Sequence, residues 1–305
     1  MIQDSFQHLQ VKIGEMFQKH RKLRALSAEE ASEGICDKRT LSQFENGKKQ
    51  LGYAAFLALA QKIYLPLEEI DSVAKNYQSD PNEQFFKNVH YYYHEKNIDQ
   101  LKALLKEEKE ATKSKIGNCL TILMLSAMIH DLDHNFPIPE NVFQNASNYL
   151  FNTKQWSYYE LSLFCNVAHV LKIDLSCTLM HNIINHKEIF CNTNDRKRLL
   201  IITLINVMYP CLQHDCFDDF NVFFELAYRL IVEKRHHYMR EECTLDFLEG
   251  LYMFITGHQD DGRKAMSTVV NFLLLRNYDE LGQQFQSYYE EALIKENQRQ
   301  QEKRG

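Results

Sequence analysis

The side chains best suited to recognition chemistry gather in Lys38-Arg39-Thr40-Leu41-Ser42-Gln43-Phe44-Glu45-Asn46-Gly47. Arg and Lys carry N–H groups that match the O6 and N7 acceptors of guanine, and Gln carries the donor and acceptor that match adenine. Leu41 and Phe44, three apart, define the buried face of a short helix ending at a glycine, with Lys38, Arg39, Ser42 and Gln43 left outward. Upstream, Ser27 and Glu30 have the capping-box spacing of a helix start. Gly34-Ile35-Cys36 forms the tight connection between the two helices. Two short helices joined in this way, the second with a basic start, read as a helix-turn-helix whose second helix enters the major groove of double-stranded DNA. Lys38, Arg39 and Gln43 then face base edges, and Thr40 and Ser42 supply a further base or phosphate contact. Asn46, Lys48, Lys49 and Tyr53, the last at the start of the next helix, lie where phosphates are held. The competing reading of Lys38 and Arg39 is a solvated basic face.

The ending Leu41-Ser42-Gln43-Phe44-Glu45-Asn46-Gly47 resembles the phage-repressor class of helix-turn-helix domains, and more narrowly the Rgg/MutR-type regulators of Gram-positive bacteria. The basic run Lys19-His20-Arg21-Lys22-Leu23-Arg24 and the segment from Ser27 through Ala31 and Ser32 match the rest of that pattern. The resemblance implies that Glu45 is structural, pairing with a basic residue of the first helix such as Arg21. It also implies a helical-repeat domain that takes short, mostly hydrophobic signalling peptides in quorum sensing, and a homodimer formed through C-terminal repeats.

The chain of 305 residues has only ten glycines and five prolines, a composition that suits an all-α protein, since frequent strands need more turn residues. Charge is uneven. Residues 1–62 hold ten Lys/Arg against seven Asp/Glu, a net of +3 in a chain totalling −6, so the remainder carries −9. A positive head on an acidic body fits DNA contact confined to one end. The N-terminus lacks the apolar run of a secretory signal, and no stretch approaches the ~18 uncharged apolar residues of a membrane span. A cytoplasmic protein without membrane contact is expected. Most of the eight cysteines lie in apolar helical runs and read as small reduced hydrophobes. Cys36, in the turn, is the one with a more open setting.

The periodicity places a first helix over 6–23, the two short helices, a fourth from Tyr53 to Ile63 and a fifth opened by Pro66. This five-helix, repressor-like bundle occupies 1–75, and the polar, turn-rich segment 76–82 is a linker. From 83 to 305 amphipathic helices alternate with polar breaks at Asn97, Ser114, Pro137 with Pro139, Thr153, Asp174, 192–195, His214, 235–237 and Gly257. They leave about five helical hairpins of roughly 40 residues, a degenerate tetratricopeptide-like solenoid. A last helix over 278–296 carries Leu281, Phe285, Tyr288, Tyr289 and Leu293 in one stripe, for capping the solenoid or burying a second copy.

Catalytic signatures are lacking: the chain has neither a glycine-rich phosphate loop nor a nucleophile elbow, and no cofactor is expected. His130-Asp131-Leu132-Asp133-His134 lies at a helix end where polar residues gather. Cys211, His214 and Cys216 lack the second pair of ligands a structural zinc site needs, so neither is read as a metal site. In the repeat domain, a concave groove for an extended peptide needs side chains that both donate and accept. Asn166 and Asn206 sit in apolar helices at comparable places in successive hairpins and are the groove candidates. Arg198, for a peptide carboxylate, and Tyr159, as a stacking wall, come next. Bonding of each Asn to a neighbouring helix turn is the competing reading. The alternatives for the whole chain are a protein-interaction scaffold and a regulator without peptide input.

Overall fold

A computed structural model describes residues 2–74, 81–110, 115–153 and 156–302, with side chains described over 7–72, 84–110, 121–153 and 156–295. All regular structure among them is helical. Two compact units are present, Met1–Tyr91 and Tyr92–Gly305. The expected linker 76–82 falls outside the described residues except for Pro81 and Asn82. These two open a helix, Pro81 at the first helical position where its missing N–H goes unused.

The first unit contains α1 (Ile2–Leu23), α2 (Ala28–Ser32), α3 (Lys38–Glu45), α4 (Tyr53–Lys62) and α5 (Leu67–Ala74), followed by most of α6 (Pro81–His94). Its core is Phe17, Ala31, Leu41, Phe44, Leu59 and Ile63, joined by Met16, Leu65 and Ile70. Phe44 anchors α3, its ring edge-on to Phe17 at 5.6 Å and to Phe56 at 6.0 Å. Gly14 lets α1 lie directly on α3, because a Cβ there would meet the Phe44 carbonyl oxygen at 2.3 Å.

In the second unit α7 (Ile98–Glu110), α8 (Lys115–Leu132), α9 (Glu140–Asn152), α10 (Tyr158–Val167) and α11 (Ile173–Asn185) come first. They are followed by α12 (Asn194–Gln213), α13 (Phe217–Val232), α14 (Met239–Ile255), α15 (Gln259–Leu275) and α16 (Asp279–Glu302). Within this unit α8 packs on α9, α12 on α13 and α14 on α15, hairpins that begin at 115, 194 and 239, close to the expected period, and α16 follows the last of them. The Ser114 break lies outside the described residues. Asp174 falls in the first turn of α11 rather than in a break, since the chain turns at 168–172 and the acid complements the helix N-terminus. The final helix runs past 296 to Glu302, because its polar end contains no helix breaker.

Alternate helices of this unit touch one another: α8 meets α10, α10 meets α12, α12 meets α14 and α14 meets α16. These even-numbered helices therefore form a continuous row. Arg198 near the start of α12 pairs with Glu241 near the start of α14, so the two run parallel. In a stack of helical hairpins the more closely spaced row is the inner, concave one.

Candidate functional site

The first site is the exposed surface of α3. Ser27 and Glu30 form the expected capping box at α2, the Glu30 N–H donating to the Ser27 hydroxyl at 3.1 Å and the Ser27 N–H to Glu30 at 2.8 Å. Gly34, at φ +78°, makes the turn. Asp37 caps α3, accepting from the Thr40 N–H and from the Thr40 hydroxyl, both at 2.7 Å. These bonds hold the Asp37 carboxyl below the usual carboxylate range. At the other end Gly47 adopts φ +67°. Its N–H reaches the Phe44 carbonyl at 2.9 Å and the Lys48 N–H reaches the Gln43 carbonyl at 2.8 Å, a Schellman ending.

Glu45 is buried and bound by Arg21 of α1, at 2.5 Å from Nε and 2.7 Å from the second terminal nitrogen. This two-pronged ion pair fixes the angle of α3 against α1 and satisfies the structural role implied for both residues. Arg21 also donates to the Leu26 carbonyl at 2.7 Å, and its guanidinium pKa is raised by the Glu45 hydrogen bond.

Outward from that anchor, Lys38, Arg39, Asn46, Lys48, Lys49 and Tyr53 are exposed, and Thr40, Ser42 and Gln43 are half-buried. The structure thus brings all nine residues to one part of the first unit, on α3, the loop after it and the start of α4. Their engagement differs. Lys38 reaches Glu29 at 3.3 Å between two exposed side chains, a link of small energy. Lys49 donates to the Thr40 hydroxyl at 2.9 Å, and Asn46 donates to the Ser42 carbonyl at 2.6 Å. The Arg39 guanidinium has no hydrogen-bond partner among the described residues. Sequence reading passed over Gln10, whose amide nitrogen donates to the Gly47 carbonyl at 3.3 Å and whose amide oxygen accepts from Gln50 at 3.2 Å. Only the fold joins those positions.

The second site is the inner row of the second unit. Tyr159, Ser162 and Asn166 follow one face of α10, and Ile202, Asn206, Tyr209 and Gln213 one face of α12. The Asn206 amide crosses between the helices to donate to the Cys165 carbonyl at 2.9 Å, which sets it beside Asn166. Asn166 donates to the Ser162 carbonyl at 2.8 Å. Each amide so far uses one N–H on a helix turn, as the competing reading had it. Neither side-chain carbonyl oxygen has a partner among the described residues. Tyr159 is 47% exposed on the same face.

Arg198 is placed differently. It turns toward α14, donating to the Glu241 carboxylate at 2.7 Å and to the His237 carbonyl at 3.0 Å, with its guanidinium 5.9 Å from the Tyr238 ring. Glu241 is buried and lies opposite, so the ion pair satisfies a charge that would otherwise be stranded. Ile202, Tyr209 and Gln213 escaped sequence reading, although their helical spacing from Asn206 carried the signal.

The polar clusters set aside earlier have local partners. The His130 ring lies 2.9 Å from the Phe136 carbonyl and the His134 ring 3.1 Å from the His130 carbonyl. Cys177 and Cys211 are buried with their sulfurs 3.7 Å apart, and Cys36 is half-buried. Burial pushes the Cys165 thiol up to about 11, which keeps it neutral. Among the described residues no helix is long and apolar enough to cross a membrane.

A helix-turn-helix head followed by stacked helical hairpins defines a class of transcription regulators. Residues 100–287 match the family described as "HTH-type transcriptional regulator Rgg, C-terminal domain", and the chain belongs to that family, one of regulators rather than enzymes. The fold is shared with the Streptococcus dysgalactiae SHP pheromone receptor Rgg2, at 20% identity and a TM-score of 0.74, covering 92% of this chain and 99% of the other. It is also shared with Bacillus thuringiensis PlcR in complex with the peptide PapR7 and DNA, at 17% identity and a TM-score of 0.60, covering 89% and 99%. ComR from S. thermophilus, in complex with DNA and its signalling peptide ComS, matches at 15% identity and a TM-score of 0.54, covering 92% and 99%.

Proposed function

We propose that this chain is a cytoplasmic, homodimeric transcription regulator that reads DNA through α3 and senses a short signalling peptide in the groove of its inner helical row. The observation that carries the DNA half is the anchored, basic α3: its inward face is fixed by the Arg21–Glu45 pair while Arg39 stands exposed and unpaired among the described residues. In this reading Lys38, Arg39 and Gln43 meet base edges, Thr40 and Ser42 add a base or phosphate contact, and Asn46, Lys48, Lys49 and Tyr53 hold phosphates. A dimer would present two such helices to half-sites about one helical turn, ~34 Å, apart.

The peptide half rests on Asn166 and Asn206, which stand together on the inner row with carbonyl oxygens available to a peptide backbone. Tyr159 supplies a wall, and the first terminal nitrogen of Arg198, outside its Glu241 pairing, supplies a donor for a carboxylate. Matched structures of peptide-bound and DNA-bound regulators support the same reading. The domain division we propose is 1–75 for the DNA-binding bundle, 76–82 for the linker and 83–305 for sensing and dimerisation.

The test is titration of the full chain with labelled short apolar peptides encoded beside its gene, followed by anisotropy. Binding that weakens at least tenfold in Asn166→Ala with Asn206→Ala, helicity being retained, is expected for two buried polar contacts to a backbone. Undiminished binding in that variant would remove those residues from the groove.

A further inference from the structure

Where α12, α14 and α16 meet there is a narrow cleft. Leu212, Leu251 and Phe254 form its floor, and Tyr209, Tyr288 and Glu291 its rim. The two tyrosine rings stack with centroids 4.5 Å apart and planes 29° from parallel. The Tyr209 hydroxyl donates to the Glu291 carboxylate at 3.3 Å, and Gln284 reaches the Tyr288 hydroxyl at 2.8 Å. Phe285, buried against Phe247 at 4.6 Å, holds α16 in this position.

Three features give the cleft a negative bias. Glu291 is exposed at the rim, and no cation pairs with it among the described residues. The residues that α12 and α14 contribute belong to their last two turns, and helix C-termini carry partial negative charge. Both tyrosine hydroxyls have their pKa raised by burial, so they stay protonated and take no share of the charge on Glu291. Lys295, one turn beyond Glu291, also lines the cleft; it makes no ion pair with that carboxylate among the described residues, so its charge offsets the bias without occupying Glu291.

We infer that this cleft is a subsite for a lysine or arginine side chain of the bound peptide. The methylene stem lies along the apolar floor, the cationic head meets Glu291, and the face of the tyrosine pair adds cation–π attraction. The inference rests on the reading of the inner row as a peptide groove. The cleft shares Tyr209 with the face of α12 that carries Asn206.

The experiment uses the full chain and an immobilised set of octapeptides built from Leu, Ile, Val, Phe and Gly, with one position occupied by Lys, norleucine or Glu. Wild type should capture the Lys members about fivefold over the norleucine members, the yield of an ion pair at an exposed rim. The ratio should approach one in Glu291→Gln, which keeps the shape of the side chain, and Glu291→Lys should turn the preference toward Glu. Equal capture of Lys and norleucine by wild type, or a Lys preference that survives Glu291→Gln, would overturn the subsite. If apolar members were still captured in that case, the groove reading would stand without it. Failure to capture any octapeptide would instead overturn the groove reading and the subsite together.

Discussion

Glu45→Ala is the most incisive perturbation of the DNA-binding half. It removes both charge-assisted bonds from Arg21, at 2.5 and 2.7 Å, and leaves a guanidinium that is only 7% exposed with the Leu26 carbonyl at 2.7 Å as its remaining partner among the described residues. Hydrogen bonds to charged groups contribute ~1.5–3 kcal/mol each, and stripping one member from a buried pair costs ~3–5 kcal/mol. A bundle of this size has a total stability on the order of 5 kcal/mol, so the single variant should unfold the head near 25 °C. Replacing both partners, Arg21→Met with Glu45→Leu, leaves no orphaned charge and should recover most of that loss. Trp156 is the only tryptophan and belongs to the second unit, so its emission reports that unit alone while ellipticity at 222 nm reports both. Glu45→Ala should lower the ellipticity transition, leave the Trp156 transition in place and abolish operator binding. A single variant within ~1 kcal/mol of wild type, or a double variant no better than the single, would refute the assigned role of the pair.

Other consequences can be checked separately. Arg39→Ala should cost ~1–3 kcal/mol on a specific operator at matched salt without changing the melting temperature, as read by anisotropy. Lys49→Ala should weaken binding to all sequences alike and lower the slope of log K against log salt by ~1. Gly14→Ala should destabilise the head by ~1–3 kcal/mol in thermal melts, because the added methyl would meet the Phe44 carbonyl oxygen at 2.3 Å. Although burial opposes it, the bonds from Ser157 and Tyr149 hold Glu160 below the usual carboxylate range. A lowered folded value means its contribution is fully present above the unfolded pKa of about 4.3 and is lost as pH falls through the folded one. Acid titration followed by Trp156 emission should therefore show Glu160→Gln losing less stability than wild type below that pH.

How far the sequence speaks depends on the range of each interaction. The capping box at Ser27 and Glu30, the left-handed glycine at 47 and the buried pair Leu41 and Phe44 are all set within one or two turns, and they form where local spacing puts them. The same holds for the hairpin period, carried by apolar stripes and polar breaks. Asp37 caps α3 at an equally local spacing from Thr40, but it lies outside the basic and apolar pattern that marks the helix. The groove is another matter. Asn206 donates to the carbonyl of Cys165, 41 positions away, and Arg198 finds Glu241 at a separation of 43. No pattern within one helix could distinguish the asparagine that faces a neighbour from the arginine that is consumed by one.

That contrast also explains why the two halves of the molecule differ in chemistry. Recognition of a duplex needs a rigid, exposed row of donors, and in the proposed reading a capped two-turn helix braced by one buried ion pair provides it with few residues. Recognition of an extended peptide needs partners for a backbone along its length, which a single helix cannot supply. In the proposed groove, parallel inner helices supply them by repetition. Residues of similar position, such as Asn166 and Asn206, fall side by side, while the helix ends gather at opposite edges of the row. Aligned dipoles then give the groove a positive edge, where Arg198 lies, and a negative edge, where Glu291 closes the cleft. A peptide with separated charges should bind in one orientation. Reversing its sequence while keeping its composition should therefore cost affinity that Glu291→Gln partly restores in relative terms. Equal binding of both orders by wild type would show that the edges do not act on the ligand.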